Sequence, residues 1–264
     1  MGYNERLDEI LKILNKRKKI TVQELTDRLN VSEVTIRKDL SFLEERGQIQ
    51  RIHGGAILAQ DKESLRHISI RLDEHVEEKT AIARKAAEMV HEGDTIFIDS
   101  GSTCYYLARE IKNMSIRILT NSLDVMIELS ESPSVSLLST GGSFRVDARS
   151  FIGPIALETI SNFQIEVAFL GTTGFSEEGI FSAQNTLEAQ IKKAVIKSSR
   201  HRIMLVDHYK YRTVAFSIFA RPEDIDILVT DSDFPERENL AKLGIETVFA
   251  DVMNTYKTID GGIK

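Results

Sequence analysis

The chain has 264 residues, of which 42% are apolar, so it is long enough for two domains or one large domain with a sizeable core. Its apolar runs are far shorter than the roughly 20 residues of a membrane helix, and its first residues lack an apolar signal core. A single cysteine excludes an internal disulfide framework, so we expect a soluble cytoplasmic protein. The net charge of -6 is unevenly distributed along the chain. Residues 1–60 hold 11 basic and 9 acidic residues, whereas the rest of the chain holds 23 basic and 31 acidic residues. This difference suggests a basic N-terminal part and an acidic body with separate functions.

Residues 1–47 contain three short helical patterns in succession. Leucine and isoleucine recur at helical spacing in the first pattern, which ends in the cationic run 16–19, and cations stabilise the C-terminal end of a helix. The second pattern places three apolar residues on one face: Val22, Leu25 and Leu29. Asn30 can close this helix in a left-handed conformation, and Ser32 can cap the next one. Helices joined by such a tight turn indicate a helix-turn-helix motif.

The third helical pattern, 33–47, has two different faces. Its apolar face should pack on the domain core and consists of Ile36, Leu40 and Leu43. Its polar side carries cations and hydroxyl groups: Thr35, Arg37, Lys38 and Ser41. Cations bind phosphates or guanine edges and hydroxyls contact the backbone or bases, so this side suits the major groove of DNA. The alternative is a solvated basic helix in some other helical domain.

Residues 48–58 alternate apolar and polar side chains around a pair of glycines. The alternating residues are Ile49, Gln50, Arg51, Ile52 and His53. Gly54 and Gly55 follow them and offer a hairpin turn. The segment is therefore predicted to form a β-hairpin wing behind the third helix.

The segment from Val31 to Ala56, VSEVTIRKDLSFLEERGQIQRIHGGA, resembles the signature region of the DeoR family of bacterial transcriptional regulators. The matching positions are Ser32, Thr35, Ile36, Arg37, Asp39, Leu40, Leu43, Gly47, Gly54 and Gly55. The resemblance implies a winged helix-turn-helix domain, 1–58, that binds operator DNA. The expected DNA-binding residues are Ser32, Thr35, Arg37, Lys38, Ser41, Arg51, His53 and Gly54.

The chain after residue 58 divides into a linker, 59–75, and an α/β body, 76–264. The linker has no clean hydrophobic period. The body alternates helices with short apolar strands such as TIFID at 95–99 and IRILT at 116–120, which indicates an open, mainly parallel α/β sheet. In such sheets ligands bind beyond the carboxyl ends of the strands.

Glycines, hydroxyl residues and a few charged side chains follow the predicted strands of the body. They are Asp99, Ser100, Gly101, Ser102, Thr103, Thr120, Asn121, Ser122, Gly141, Gly142, Arg145, Gly171, Asp207 and Lys210. The 99–103 loop lacks the lysine of a Walker phosphate loop. Hydroxyls and helix N-terminal N–H groups can hold a phosphate, carboxylates and amides can bind sugar hydroxyls, and Arg145 and Lys210 supply positive charge. The alternative for any single loop is that its serine or threonine only caps a helix.

Short motifs of the body resemble the sensor domain of the same family. They are DSGST, TNS, the glycine pair before Arg145, FIGP, LGTTG and DHYK. That domain is similar in fold to ribose-5-phosphate isomerase, so the resemblance implies that the body binds a phosphorylated sugar as effector. It adds four candidate site residues, for which surface salt bridges are the alternative: Arg71, Lys79, Glu188 and Lys192.

A sugar-phosphate isomerase with an extra domain is the rival interpretation. Isomerisation needs a carboxylate base, for which the candidates are Asp99, Asp207 and Glu188. However, Ser143 and Phe144 stand where such an enzyme would carry acids, and an isomerase does not need a DNA-binding wing. We therefore expect no catalytic residues and no enzyme. The six histidines lack metal-ligand spacing, so neither a metal nor a cofactor is expected.

The sequence thus predicts a transcriptional repressor of a sugar-metabolism operon. A homodimer or homotetramer is expected, because one such domain makes few contacts with operator DNA. Binding of a phosphorylated sugar in the body should weaken operator binding, and by linkage the operator should weaken effector binding equally. No membrane partner is expected.

Overall fold

The computed structural model describes residues 3–17, 19–45, 49–52, 54–58 and 68–252. The chain divides into two compact units, unit 1 (Met1–Ile70) and unit 2 (Arg71–Lys264). Helix α4 (Ile68–Asp73) crosses this division, so the end of the segment predicted as a linker is helical, and 59–67 lie outside the described residues. Among the residues described, no helix is long and apolar enough to cross a membrane.

Unit 1 is a three-helix domain with a three-stranded antiparallel sheet. Its elements are α1 (Tyr3–Arg17), β1 (Lys19–Thr21), α2 (Val22–Leu29), α3 (Glu33–Glu45), β2 (Ile49–Ile52) and β3 (Gly55–Leu58). Strand β3 lies between β1 and β2. The predicted apolar face of α3 is buried in the core, with Ile36 and Leu40 fully buried and Leu43 1% exposed. The predicted helix-turn-helix with a β-wing is therefore confirmed.

Short side chains and glycines set the turns of unit 1. Thr21 and Glu24 form a reciprocal capping box at the start of α2, and Asn30 ends this helix in the left-handed conformation, with φ 51°. Gly54 turns the hairpin with φ 80°. Gly55 is needed because a Cβ there would collide with the Ile20 carbonyl of β1.

A buried ion pair joins the first and third helices of unit 1. Arg6 Nε lies 2.6 Å from Asp39 Oδ2, and Arg6 Nη2 donates to Asp39 Oδ1 at 3.1 Å. The Asp39 side chain is 2% exposed and that of Arg6 12%. Because a carboxylate this buried needs a partner, the pair fixes α1 against the helix that carries the predicted DNA-binding residues.

Unit 2 is an α/β domain. Its further helices are α5 (Val76–Ala87), α6 (Ser102–Ile111), α7 (Leu123–Leu129), α8 (Pro154–Ser161), α9 (Thr186–Ser198) and α10 (Arg237–Lys242). Its strands are β4 (Thr95–Ile98), β5 (Arg117–Thr120), β6 (Ser136–Ser139), β7 (Ser143–Arg145), β8 (Ser150–Ile152), β9 (Ile165–Gly171), β10 (Gly174–Phe175), β11 (Phe181–Ala183), β12 (Ser199–Leu205), β13 (Ser217–Ala220), β14 (Ile227–Asp231) and β15 (Glu246–Ala250).

Seven of these strands form one parallel sheet in the order β15-β14-β12-β9-β4-β5-β6. Alternate residues of β4 and β9 enter two separate cores, one containing α8 and α9 and the other α5, α6 and α7. The hairpin β7–β8 and the antiparallel sheet β10-β11-β13 lie outside the main sheet. The predicted open, mainly parallel sheet is confirmed, and the added antiparallel pieces were not predicted.

The strand order reverses between β4 and β9. From β4 the chain proceeds outward through β5 and β6, and it then returns to β9 and proceeds outward on the other side. The connections that follow β4 and β9 therefore lead to opposite sides of the sheet and leave a crevice at the carboxyl ends of these two strands. This topological switch point is where open α/β sheets bind ligands.

The ion pair of unit 1 generates a stability prediction. Arg6→Met should lower the free energy of unfolding of unit 1 by about 3 kcal/mol or more, because it leaves the buried Asp39 carboxylate unpaired. Hydrogen exchange of core amides such as Leu40, measured in the full-length chain, reports this change. Arg37→Met is the matched control, since its pair with Glu33 is about half exposed on both sides, with side-chain exposures of 51% and 54%, and should change stability by less than about 1 kcal/mol. Equal losses in the two variants would contradict the buried-charge argument.

Candidate functional site

Helix α3 carries four of the eight predicted DNA-binding residues: Thr35, Arg37, Lys38 and Ser41. Arg37 and Lys38 are exposed and Ser41 is half-buried. Val34, Arg37, Lys38 and Ser41 follow one another at i, i+3, i+4 and i+7, so they form one exposed stripe along the helix. Val34, which is 64% exposed, was not among the predicted residues.

The hydroxyl groups at the start of α3 are used within the helix cap. Ser32 Oγ accepts a hydrogen bond from the Thr35 N–H at 3.2 Å, and the two hydroxyl oxygens lie 2.9 Å apart. The predicted capping role of Ser32 is confirmed. These two hydroxyls therefore stabilise the helix that presents the stripe, in addition to any contact with DNA.

The wing contributes one cation next to the stripe. Arg51 Nη1 donates to Ser41 Oγ at 2.9 Å, and the Arg51 N–H donates to Glu44 at 2.9 Å. Strand β2 is thereby attached to α3, and the guanidinium lies beside the end of the stripe. Gly47 and His53, which the sequence also singled out, lie outside the described residues.

In unit 2 a cleft lies at the switch point of the sheet. We call it the switch-point cleft, and its walls are Arg71, Ser100, Gly101, Ser102, Thr103, Gly171, Thr172, Thr173, Glu188, Lys192, Leu205, Asp207 and Lys210. Ten of the candidate site residues from the sequence are among them: Arg71, Ser100, Gly101, Ser102, Thr103, Gly171, Glu188, Lys192, Asp207 and Lys210. Loops that are far apart in the sequence thus meet where the topology predicts a ligand site.

The 99–103 loop places the start of α6 at the cleft wall. Its Ser100 N–H donates to Asp99 Oδ1 within the loop at 2.8 Å and to Asn121 Oδ1 at 3.0 Å, and the second bond ties the loop to the segment after β5. Gly101 is the N-cap of α6, and within the described residues no side chain caps this helix. The first N–H groups of α6 therefore remain available to an anion in the cleft.

Lys192 joins β4 and β9 to α9 through a buried ion pair. Its Nζ contacts Asp99 Oδ2 and donates to the Gly171 carbonyl at 3.0 Å. Asp99 in turn accepts a hydrogen bond from the Gly171 N–H at 3.0 Å. Burial alone would lower the pKa of Lys192, but the Asp99 and Glu188 carboxylates raise it above its ordinary value, so the lysine stays charged.

A chain of charges continues from Lys192 towards the β7–β8 hairpin. Glu188 Oε1 lies 3.6 Å from Lys192 Nζ, and Glu188 Oε2 lies 3.0 Å from Arg145 Nη1. Arg145 also bonds Asp147 at 2.8 and 2.5 Å. The predicted residue Arg145 does not line the cleft. The carboxylates of Asp147 and Glu188 balance its charge, and Arg145 in turn positions Glu188.

Two buried polar atoms of the cleft have no hydrogen-bond partner in the described part of the chain. They are Nε of Arg71 and Oδ1 of Asp207. Asp207 is 2% exposed, and burial lowers the pKa of the Arg71 guanidinium. An unpaired buried polar group costs about 1–3 kcal/mol. A ligand with an anionic group for Arg71 and a hydroxyl donor for Asp207 would remove this cost.

Lys79 is buried and binds the backbone next to the cleft residue Arg71. Its Nζ donates to the backbone carbonyls of Arg71 and Glu74, the latter at 2.5 Å. Burial lowers the pKa of Lys79 from 10.5 to about 8, and the Asp207 carboxylate partly opposes the shift. The predicted residue Lys79 thus holds the segment that carries Arg71.

The loop that carries Asp207 and Lys210 is anchored by two residues that the sequence did not single out for this role. The His208 N–H and Nδ1 lie 2.8 and 2.6 Å from the two carboxylate oxygens of Asp231. The Tyr209 ring stacks on His75, with ring centroids 3.6 Å apart. These contacts link three elements far apart in the sequence, which a local motif could not reveal.

The remaining predicted residues lie away from the cleft wall. Thr120 Oγ1 donates to the Ile98 carbonyl at 2.6 Å, and Ser122 Oγ caps α7 by accepting from the Val125 N–H at 3.3 Å. Asn121 is fully buried and supports the 99–103 loop. The predicted glycines Gly141 and Gly142 occupy the turn after β6, where both have positive φ. None of these residues lines the cleft, so their contacts favour a role in holding the loops of the site over direct contact with a ligand.

Other chemistry has little support in this region. Asp99 and Glu188, two of the three carboxylates considered as a catalytic base, are bound to cations. Cys104 is fully buried, and burial raises the pKa of its thiol, which favours the packing role over a reactive thiolate. Within the described ranges, no three histidine, cysteine, aspartate or glutamate side chains are grouped as metal ligands.

Comparison with protein families gives two matches that together span most of the chain. The DeoR-like helix-turn-helix domain matches residues 6–62, and the DeoR C terminal sensor domain matches residues 74–232. The first match contains the stripe of α3 and the wing, and the second contains all of the cleft except Arg71.

Similar bacterial proteins align with most of the chain. The chain is 38% identical over 228 residues to the uncharacterized HTH-type transcriptional regulator YulB of Bacillus subtilis, covering 86% of this chain and 88% of that one. It is 30% identical over 254 residues to the lactose phosphotransferase system repressor of Staphylococcus epidermidis, covering 94% and 100%. A solved ribose 5-phosphate isomerase A from Methanocaldococcus jannaschii matches 50% of this chain and 53% of that chain, with 17% identity and a TM-score of 0.38.

The buried ion pair of the cleft generates the next prediction. Lys192→Met should lower the free energy of unfolding of unit 2 by about 3–5 kcal/mol, because Asp99 is left buried and unpaired. The double variant Asp99→Asn with Lys192→Met should recover much of this loss, since no charge then remains at the pair. Urea unfolding of each variant, followed by circular dichroism and by exchange of β4 and β9 amides, measures the difference. Lys193→Met, at the exposed neighbouring position, is the control. A double variant as unstable as Lys192→Met would contradict the argument.

The environment of Lys79 predicts an unusual titration. In protein with 13C-labelled lysine side chains, the Lys79 resonance should titrate with a pKa of about 8, whereas the resonances of exposed lysines should titrate with a pKa of about 10.4. Because the folded-state pKa is lower than the unfolded value of 10.5, the unfolded chain binds the extra proton between these values, and stability should rise with pH across that range. The resonance should be absent from Lys79→Arg. A Lys79 resonance that titrates with the exposed lysines would contradict the burial argument.

Proposed function

The chain belongs to the DeoR family of transcriptional regulators, and on this premise we propose that it represses a sugar-metabolism operon and releases its operator when a phosphorylated sugar binds in the switch-point cleft. The family matches cover both a DNA-binding and a sensor domain. A relative that aligns over 94% of this chain is named as a repressor of the lactose phosphotransferase system.

Unit 1 supplies the operator contacts in this proposal. The stripe of α3 enters the major groove, where Arg37 and Lys38 bind phosphates or guanine edges. The wing follows the backbone, with Arg51 beside the stripe. Since one such domain makes few contacts, a homodimer or homotetramer supplies the operator affinity.

Unit 2 supplies the effector site. The observation that carries this part is the pair of unsatisfied buried atoms in the cleft, Arg71 Nε and Asp207 Oδ1, beside the uncapped start of α6. An anionic group satisfies the guanidinium and the helix N–H groups, with Lys210 adding charge. A sugar hydroxyl donates to Asp207. A phosphorylated sugar carries both kinds of group in one small molecule.

Two of the three candidate catalytic bases are occupied by ion pairs, which favours binding without turnover. Asp99 and Glu188 are held by Lys192 and Arg145, so neither is free to accept a proton from a substrate carbon. Effector binding instead favours a state of the protein with lower operator affinity, and the coupling acts equally in both directions. We expect the protein to act in the cytoplasm, where operator DNA and phosphorylated sugars are both present.

The proposal is tested by screening the full-length protein against a panel of sugar phosphates and the corresponding free sugars by thermal shift. A specific sugar phosphate should raise the midpoint of unfolding, because a ligand that binds only the folded state stabilises it. The same compound should release a fluorescent operator duplex, obtained by selection from a randomised library, in an anisotropy assay. Stabilisation by free sugars alone, or turnover of ribose 5-phosphate, would contradict the proposal.

Variants of the cleft separate effector binding from DNA binding. Lys210→Ala and Asp207→Asn should each lower the affinity for the effector by about tenfold or more, because each removes one hydrogen bond that involves a charged group. Operator affinity should stay unchanged. Lys197→Ala, an exposed lysine on α9 that does not line the cleft, is the matched control and should behave like the parent protein. A cleft variant that releases the operator at the parent's effector concentration would remove that residue from the site.

A further inference from the structure

The first turn of α3 presents an apolar side chain to solvent. Val34 is 64% exposed, although Ile36, only two residues further on, is fully buried. It leads the exposed stripe, followed at helical spacing by Arg37, Lys38 and Ser41. Single exposed valines are common on protein surfaces. Val34 differs from these because its neighbours on the same face are the cations expected to meet DNA.

The polar groups around Val34 are already engaged within the protein. The hydroxyls of Ser32 and Thr35 take part in the helix cap. Arg37 donates to Glu33 Oε1 from Nε at 3.1 Å and from Nη2 at 2.5 Å. The Val34 side chain, by contrast, has no hydrogen bond to lose when it contacts DNA. At the N-terminal end of the stripe, the group offered to a partner is therefore its pair of methyl groups.

One group on the major-groove edge of DNA matches these methyls. Of the four bases, only thymine presents a methyl group there, at C5, and the others present hydrogen-bond donors or acceptors. In helix-turn-helix proteins the N-terminal residues of the second helix of the motif contact the base edges. Valine is also stiff, because its branched β-carbon leaves one preferred rotamer in a helix, so it presents its methyls in a defined direction.

We propose that Val34 packs against the 5-methyl group of a thymine in the operator and sets a preference for thymine at one position of each half-site. The inference rests on the proposed binding of operator DNA by unit 1 and adds a base contact to it. It also gives the stripe a second kind of contact, because the valine recognises a methyl group whereas the cations bind phosphates or guanine edges.

The test uses the full-length protein and a duplex selected by it from a randomised library. Each thymine of the selected duplex is replaced in turn by uracil, which keeps the base pair and removes only the methyl group. The dissociation constant of every duplex is measured by fluorescence anisotropy at one fixed salt concentration, since salt changes the phosphate contribution. At one position of each half-site, uracil should weaken binding by about fourfold, the effect of withdrawing one buried methyl group.

The same scan with Val34→Ala completes a double-mutant cycle. In this variant the uracil penalty at that position should disappear, because the protein no longer has the methyls that contact thymine. Alanine favours the helix more than valine does, and the position is exposed, so the variant is expected to fold. Val214→Ala, at a valine 70% exposed in unit 2, should keep the full penalty.

The outcomes distinguish the inference from the proposal on which it rests. A selected duplex with no uracil-sensitive position overturns the thymine contact and leaves operator binding intact. A uracil penalty that Val34→Ala retains in full also overturns it, since another residue then makes the contact. Failure of the parent protein to enrich any duplex overturns the proposed operator binding and this inference with it.

Discussion

The Asp99–Lys192 ion pair is the contact on which the organisation of unit 2 depends. It joins the first strand of the sheet to a helix 93 residues away, with both side chains almost completely buried. A buried pair of this kind stabilises a fold only when hydrogen bonds satisfy its remaining atoms. Here the Gly171 N–H and carbonyl do so, and the β4–β9 junction is thereby fixed together with the start of α9.

The pair also decides which charges in the cleft are available to a ligand. Lys192 is neutralised by Asp99, and Glu188 is shared between Lys192 and Arg145. The cleft atoms left without a partner in the described part of the chain belong to Arg71 and Asp207. This arrangement suits a ligand that carries its own acceptors and donors, because the carboxylates of Asp99 and Glu188 are already paired with cations.

The local features of this protein could be predicted from sequence, because they depend on neighbouring residues. The buried face of α3, the left-handed Asn30 and the Ser32 cap follow from helical periodicity and capping chemistry. The sheet of unit 2 and most of its cleft residues followed from the alternation of strands and helices and from the residues at the strand ends, and the family resemblance added Arg71, Glu188 and Lys192. The supporting roles of Asn121 and Arg145 could not be predicted, since they depend on which distant loops pack together. Val34 was missed because the predicted DNA contacts of α3 were restricted to cations and hydroxyl groups.

The close approach of β1 and β3 at Gly55 has a consequence for the evolution of the DNA-binding unit. Any side chain at this position would collide with the Ile20 carbonyl, so selection must keep glycine there to keep the wing. The exposed positions of α3 are under no comparable constraint from folding, since their side chains lie outside the core. Descendants of this gene can therefore acquire new operator preferences by substitutions on the stripe while Gly55 is retained.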